Sequence, residues 1–237
     1  SVRLTDEKLE WLRKDLATVD KQTPVFVGMH VPLHKTPTLD DTGRTTTSYN
    51  MEDAERFVEC LEGYDVNILT GHTHYNFNIT KSERLREHNI AAVCATWWWT
   101  GHTDYAGNHI CRDGSPGGYK IFEATGSDVR WYYKSIGKDA GYQFRTYDLN
   151  ECLLEKSDFC PSASDSDFAK YAFGYDRAND NNEVLINVFD WADDWKIEVT
   201  DLSDDSSLAV QRVRTHDPLH VISYNMRKLD KKSAMTF

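Results

Sequence analysis

Leu69-Thr70-Gly71-His72-Thr73-His74-Tyr75-Asn76 is the stretch on which the reading of this chain turns. Just before it Val66, Ile68 and Leu69 make an apolar run with the length and composition of a buried strand. A strand that ends in Gly-His-x-His lifts two imidazoles above the carboxyl end of a sheet, where open α/β sheets place their ligands. One histidine is commonly a satisfied polar group. Two at i and i+2 on a loop can aim at separate points a few ångströms apart, which suits a centre with two metal ions.

A second run has the same form. Val25-Phe26-Val27-Gly28-Met29-His30-Val31-Pro32 is rich in β-formers and ends in a histidine, and the proline prevents a helix from continuing. Between the two runs, Met51, Ala54, Phe57, Val58 and Leu61 follow helical spacing, and Gly63 suits the helix C-terminal cap. The order strand, His-x-Pro-Leu, amphipathic helix, strand, Gly-His-x-His resembles the second half of the catalytic domain of calcineurin-like metallophosphoesterases. Lone His and Gly-His-x-His are two of the five motifs that define that family.

The resemblance implies a binuclear site, with two divalent ions (manganese, iron or zinc) and a bridging water or hydroxide that attacks phosphorus. Carried over by motif, His30 and His72 look like ligands of one metal and His74 like a ligand of the other. The family also uses Asp-x-His, Gly-Asp and Gly-Asn-His-Asp/Glu, all earlier in chain order than the lone histidine. The 29 residues before His30 hold none of these, and neither Asp-x-His nor Gly-Asp occurs anywhere in the 237 residues. Gly107-Asn108-His109 spells Gly-Asn-His but follows Gly-His-x-His and precedes Ile110 rather than an acid, so it reads as a chance match. The expectation is therefore a truncated piece of a phosphoesterase of phosphate mono- or diesters, inactive on its own. The alternative is a non-catalytic binding or scaffold fragment whose C-terminal part recognises a partner or glycan.

Composition agrees with a globular chain: 40% hydrophobic and 27% charged residues. No apolar run approaches the ~20 residues of a membrane span, and no signal peptide is visible at the start. The subgroup that carries a β domain of the kind described below is commonly exported. A net charge of −11 argues against a general nucleic-acid binder. An anionic phosphoester would need local cations, such as metals, to reverse that field. The five cysteines include no Cys-x-x-Cys; Cys152 and Cys160 are spaced for a small disulfide, while Cys60 and Cys94 sit in core-like patterns.

In chain order, Thr5 can cap a first helix, with Leu9, Leu12, Leu16 and Val19 on one face and a stop before Pro24. Residues 35–50 read as a polar loop over the carboxyl edge, either a solvated connection or part of a substrate rim. Phe77 and Ile79 alternate in a strand, and Ala91 to Cys94 reads as another. Trp97-Trp98-Trp99 cannot all face one side of a strand, so they either plug a core or wall a cleft. Trp98, Trp99, His102 and His109 are the candidate substrate contacts. His34 shares a zinc-protease-like spacing with His30, but Pro32 forbids the helix this needs, so His34 reads as a rim residue; His88, His216 and His220 read as structural.

A hairpin is expected across Tyr119–Phe122 and Val129–Tyr133. Beyond Lys138 the texture changes to short alternating runs (142–147, 184–188, 195–199) between polar turns, which reads as a β-sandwich. The pattern Asn187-Val188-Phe189-Asp190-Trp191, Trp195-Lys196-Ile197, Asp217-Pro218-Leu219 resembles the C-terminal β-sandwich domain of one subgroup of these phosphoesterases. The expected class is α/β (α+β): a partial metallophosphoesterase sandwich flanked by helices over 1–138, then an all-β domain over 139–237. Half a sheet without its covering strands should expose an apolar face, so self-association is expected.

Overall fold

The computed structural model describes residues 3–74, 76–91, 93 and 109–230. The first helix, α1 (Asp6–Leu16), begins where Thr5 Oγ1 accepts from the Lys8 amide. Asp6 and Glu7 in its first turn and Arg13 and Lys14 in its last complement the helix dipole. Leu9 and Leu16 are buried, each contributing about 2 kcal/mol of apolar transfer. After β1 (Pro24–Gly28), the loop over the sheet edge carries a short ladder, β2 (Thr38–Leu39) with β3 (Thr45–Thr46). Then follow α2 (Ala54–Cys60), β4 (Asp65–Thr70), β5 (Phe77–Ser82) and β6 (Leu85–Asn89).

The main sheet has the order β1-β4-β6-β5. β1 and β6 both run parallel to β4, and β5 closes the far edge antiparallel to β6. Three strands therefore end at one edge. Alternation sorts the two faces. Val25, Val27, Val66 and Ile68 pack with Leu9, Leu16, Phe57 and Leu61 of the helical layer. Phe26 and His88 face the other way, against the hairpin β7 (Gly118–Thr125) and β8 (Asp128–Ser135). Phe26 meets Phe122 edge-on at 5.6 Å, and His88 lies 4.7 Å from Trp131. Helices, sheet and hairpin thus form three layers.

The C-terminal part is mixed rather than all-β. β9 (Phe144–Asp148) pairs with β10 (Val184–Val188), and β11 (Val199–Asp201) with β12 (Ser206–Leu208). Between and after them lie α3 (Lys156–Phe159), α4 (Asp165–Tyr171), α5 (Pro218–His220), a π-helical turn (Val221–Met226) and α6 (Arg227–Leu229). The helices are encoded by caps rather than by long apolar periodicity. Ser164 Oγ accepts from the Asp167 amide, and Asp217 precedes Pro218 at the first helical position. Partly buried Phe159, Phe168, Tyr171 and Leu229 from these helices pack against a second core of Leu154, Cys160, Ala172, Val221 and Met226. Of the alternation at 195–199 only Val199 enters a strand. The α+β class is what the structure shows.

Three further expectations are corrected. The strand after β5 is Leu85–Asn89, which the sequence reading passed over: its charged and amide side chains hid it, yet Glu87, His88 and Asn89 are all buried. Of the strand expected at 91–94, Ala91 and Val93 are not in a strand, and Ala92 and Cys94 lie outside the described residues. Cys152 and Cys160 are free thiols; Cys160 is buried with Sγ 3.6 Å from Met226 Sδ, committed to the second core. His34 is buried, not on a rim.

The sheet is joined to the C-terminal part by a buried polar network. Lys120 Nζ on β7 lies 2.9 Å from Asp190 Oδ1, both side chains fully buried. It also donates to Asn78 Oδ1, and Asn78 Nδ2 donates to Asp190 Oδ1 at 3.0 Å. His88 Nδ1 reaches Asn78 Oδ1 at 2.8 Å, and its Nε2 lies 3.1 Å from the Asn67 amide. Burial, with the charges of Lys120 and Arg86, pushes His88 down to about 2, so its ring carries one proton. That single proton serves one of two acceptors, Asn78 Oδ1 from Nδ1 or Asn67 Oδ1 from Nε2, and in the second case Nδ1 accepts from Lys120 Nζ at 3.3 Å.

Gly114 sits where the loop before β7 meets β10. Its φ is +81°, and an added Cβ would come within 2.5 Å of Asp217 Cβ. Gly114→Ala is expected to cost about 3 kcal/mol or more, read from the urea midpoint. Beside it, burial and the Asp190 charge raise Asp113 from 3.8 to about 7. A raised carboxyl contributes stability that is whole below pH 3.8 and lost as pH rises through about 7. The stability of Asp113→Asn relative to the parent chain should therefore rise between pH 5 and pH 8, by at most about 3 kcal/mol.

Candidate metal centre

The carboxyl ends of β1 and β4 are tied side by side. The Met29 amide donates to Leu69 O and the Gly71 amide to His30 O, both at 3.0 Å. The two histidines that follow meet: His72 Nδ1 lies 3.2 Å from His30 Nε2, ring centroids 5.1 Å apart. Two imidazole nitrogens on one ion at about 2.0–2.1 Å would lie about 2.8–3.4 Å apart for right-angle to tetrahedral geometry, so the pair matches two ligand positions. Both rings are at the surface edge of the sheet, His30 and His72 being exposed and His74 partly so.

The turn that carries these rings is strained. His72 has φ 69° and His74 φ 63°, left-handed values that non-glycine residues seldom adopt. The Thr73 amide donates to Gly71 O at 2.8 Å, closing a tight turn around His72. Asn89 Nδ2 holds Thr73 Oγ1 from the neighbouring strand. Such strain persists only where surrounding contacts over-determine it, and it clusters at binding and catalytic sites.

Glu87 supplies much of that fixing. It is 2% exposed in the middle of β6. Its carboxylate accepts from the Leu33 amide at 2.8 Å, the His34 amide at 3.1 Å and His34 Nδ1 at 2.7 Å. Thr70 Oγ1 lies 3.2 Å from both Glu87 Oε1 and Asn89 Oδ1, and its single proton serves one of them. One buried carboxylate thus holds the loop after His30 and touches the strand end before His72. Sequence reasoning missed Glu87, because an acid inside Leu-Arg-Glu-His-Asn reads as exposed.

His109 is partly buried; its carbonyl accepts from the Gly117 amide at 2.8 Å, at the base of the loop closed by the Ile110–Pro116 bridge. Trp98, Trp99 and His102 lie outside the described residues. His216 stacks on Phe173 at 3.6 Å and His220 on Tyr224 at 5.2 Å, both in the C-terminal part. Among the described residues no three His, Cys, Asp or Glu side chains converge on one metal position, so the histidine pair stands as part of a centre.

Glu87→Gln keeps the shape but removes the charge that gathers three N–H donors. It is expected to destabilise the fold by about 3 kcal/mol and to weaken zinc binding at His30 and His72 about 10–100-fold, read by calorimetric titration with Zn²⁺.

The comparisons with known proteins extend this description. The family model "C terminal of Calcineurin-like phosphoesterase" matches residues 87–236, from Glu87 through the hairpin and the C-terminal part. His30, His72 and His74 lie before the matched range. No curated protein and no solved structure matches the chain. No helix among the described residues is long and apolar enough to cross a membrane. The match spans well over half of the 237 residues, and the chain belongs to the family of C-terminal regions of calcineurin-like phosphoesterases.

Proposed function

We propose that the chain is the carboxyl-terminal portion of a binuclear-metal phosphoesterase that hydrolyses a small phosphate mono- or diester. The observation that carries this reading is the 3.2 Å approach of His30 and His72 at the carboxyl edge of a parallel sheet. Membership in the phosphoesterase family supports it. His30 and His72 would hold one divalent ion through Nε2 and Nδ1, and His74, on the same strained turn, would serve the second. Bound metal would supply charge neutralisation for the phosphate and a water of lowered pKa. The chain's own contribution is positional. The tie between β1 and β4 sets the spacing of the two rings, the tight turn keeps His72 and His74 aimed, and Glu87 fixes the entering loop.

Three histidines without a bridging carboxylate bind metal weakly, and these 237 residues contain neither Asp-x-His nor Gly-Asp. The proposal is therefore that full activity needs ligands these residues do not contain. Trp98, Trp99, His102 and His109 are proposed to shape the leaving-group side. We further propose a division of the chain near residue 138 and its self-association. β1 is an edge strand, and Phe26 on it is 40% exposed, which supports the latter.

The test is metal content after dialysis against Mn²⁺ or Zn²⁺, together with hydrolysis of p-nitrophenyl phosphate and its bis-ester. Weak, saturable metal binding that is lost in His30→Ala and in His72→Ala is expected, with turnover at or near background. Metal binding indifferent to both substitutions would overturn the assignment of the pair.

A further inference from the structure

Thr73 stands between the two histidines of the strained turn, and its side chain is held from the sheet below. Asn89, the last residue of β6, donates from Nδ2 to Thr73 Oγ1. Asn89 is fully buried and lies in register opposite Thr70, the last residue of β4. On its other side it lies opposite Phe77 of β5, so its backbone is paired on both flanks. The Ile90 amide donates to Thr70 O at 2.9 Å and continues the ladder past Asn89. The donor that meets Thr73 is therefore carried on a part of the sheet that cannot drift.

This contact continues a longer polar path. Glu87 and Asn89 are two residues apart on β6 and so share one face, and Thr70 stands on the neighbouring strand within reach of both. Thr70 Oγ1 lies 3.2 Å from Glu87 Oε1 and 3.2 Å from Asn89 Oδ1. Glu87 holds the Leu33 and His34 amides of the loop after His30. Three buried side chains, Glu87, Thr70 and Asn89, thus link the loop that follows one candidate ligand to the turn that carries the other two.

The turn needs such a hold. His72 at φ 69° and His74 at φ 63° are left-handed conformers, which relax unless their surroundings over-determine them. The Thr73 amide ties the turn to its own start, at Gly71 O, and the Thr73 hydroxyl ties it to the sheet. The residue type at 89 follows from this chemistry. An amide presents a donor to Thr73 and an acceptor to Thr70 from one carbon, whereas a carboxylate would present two acceptors and place a second anion beside Glu87. We propose that Asn89 is a positioning residue for the metal centre, acting through Thr73 Oγ1 to hold His72 and His74 in their left-handed conformers and so set the aim of both rings before metal binds. The proposal rests on the reading of His30, His72 and His74 as metal ligands.

The test compares the full chain with Thr73→Val, which keeps the branched shape and removes the acceptor, and with Thr73→Ser, which keeps the acceptor. Two readouts are used: Zn²⁺ affinity by titration calorimetry, and the ¹³Cα and ¹³Cβ shifts of His72 and His74 in the metal-free chain, which report their backbone conformation. Thr73→Val is expected to weaken Zn²⁺ binding about tenfold and to move both sets of shifts toward coil values, with the urea midpoint almost unchanged. Thr73→Ser should restore both readouts. Asn89→Leu should act in the same direction and add little to Thr73→Val, since the two remove one bond. Asn89 is buried, so circular dichroism checks that variant's fold; Thr73→Val, at a partly exposed position, carries the test if Asn89→Leu unfolds. His72→Ala separates the two claims. Zn²⁺ binding lost in His72→Ala but unchanged in Thr73→Val would overturn the positioning role alone. Binding that persists in His72→Ala would remove the ligand reading and with it the metal claim made for Asn89. Parent shifts at His72 and His74 in Thr73→Val would overturn the proposal in either case.

Discussion

A buried carboxylate accepting from three N–H donors is the constraint on which the candidate centre depends. Glu87 stands in the middle of β6, a strand whose neighbours on both sides are fixed by main-chain ladders. Its oxygens cannot move without the sheet moving, so the Leu33–His34 loop that hydrogen-bonds to them inherits the rigidity of the sheet. That loop begins three residues after His30. On the other side, the Gly71 amide is bonded to His30 O, so the turn carrying His72 is referenced to the same frame. Placing two exposed imidazoles within 3.2 Å of each other requires such a frame, since either ring alone would otherwise rotate freely in water.

How much of this was legible in the sequence follows from where the signals sit. β1 and β4 are apolar runs closed by a proline or a Gly-His pair, and both were readable to within a residue, as was the Thr5 cap of α1. The histidines could be named because Gly-His-x-His is a compact motif. β6 was not readable, because a strand buried on both faces is normally apolar and this one carries Arg86, Glu87, His88 and Asn89. Its burial is bought by partners far away in sequence: Leu33 and His34 for Glu87, Asn67 and Asn78 for His88. Pairings of that kind leave no local periodicity. The same holds for the C-terminal helices, which are three to seven residues long, too short for an apolar stripe to form, and are marked only by Ser164 and Asp217.

The family match and the histidine motifs occupy different stretches, yet the fold does not separate them. The matched range opens inside the central sheet, on the strand lying between β4 and β5. The hairpin within it covers the sheet face that Phe26 and His88 present. A boundary drawn by sequence texture near residue 138 falls after that hairpin, and the polar network crosses it from Lys120 to Asp190. The sheet and the C-terminal part share their least exposed charges.

That shared ion pair has a consequence for the order of events during synthesis. Lys120 emerges from the ribosome some seventy residues before Asp190. Until Asp190 arrives, the ammonium has Asn78, His88 and water but no counter-charge, and the desolvation penalty keeps that face of the sheet wet. The nascent sheet can form its ladders early, since β1, β4, β5 and β6 lie within the first ninety residues. Its hairpin layer can close dry only after residue 190 has been delivered. Final consolidation is thus a late, long-range event timed by translation rather than by local propensity.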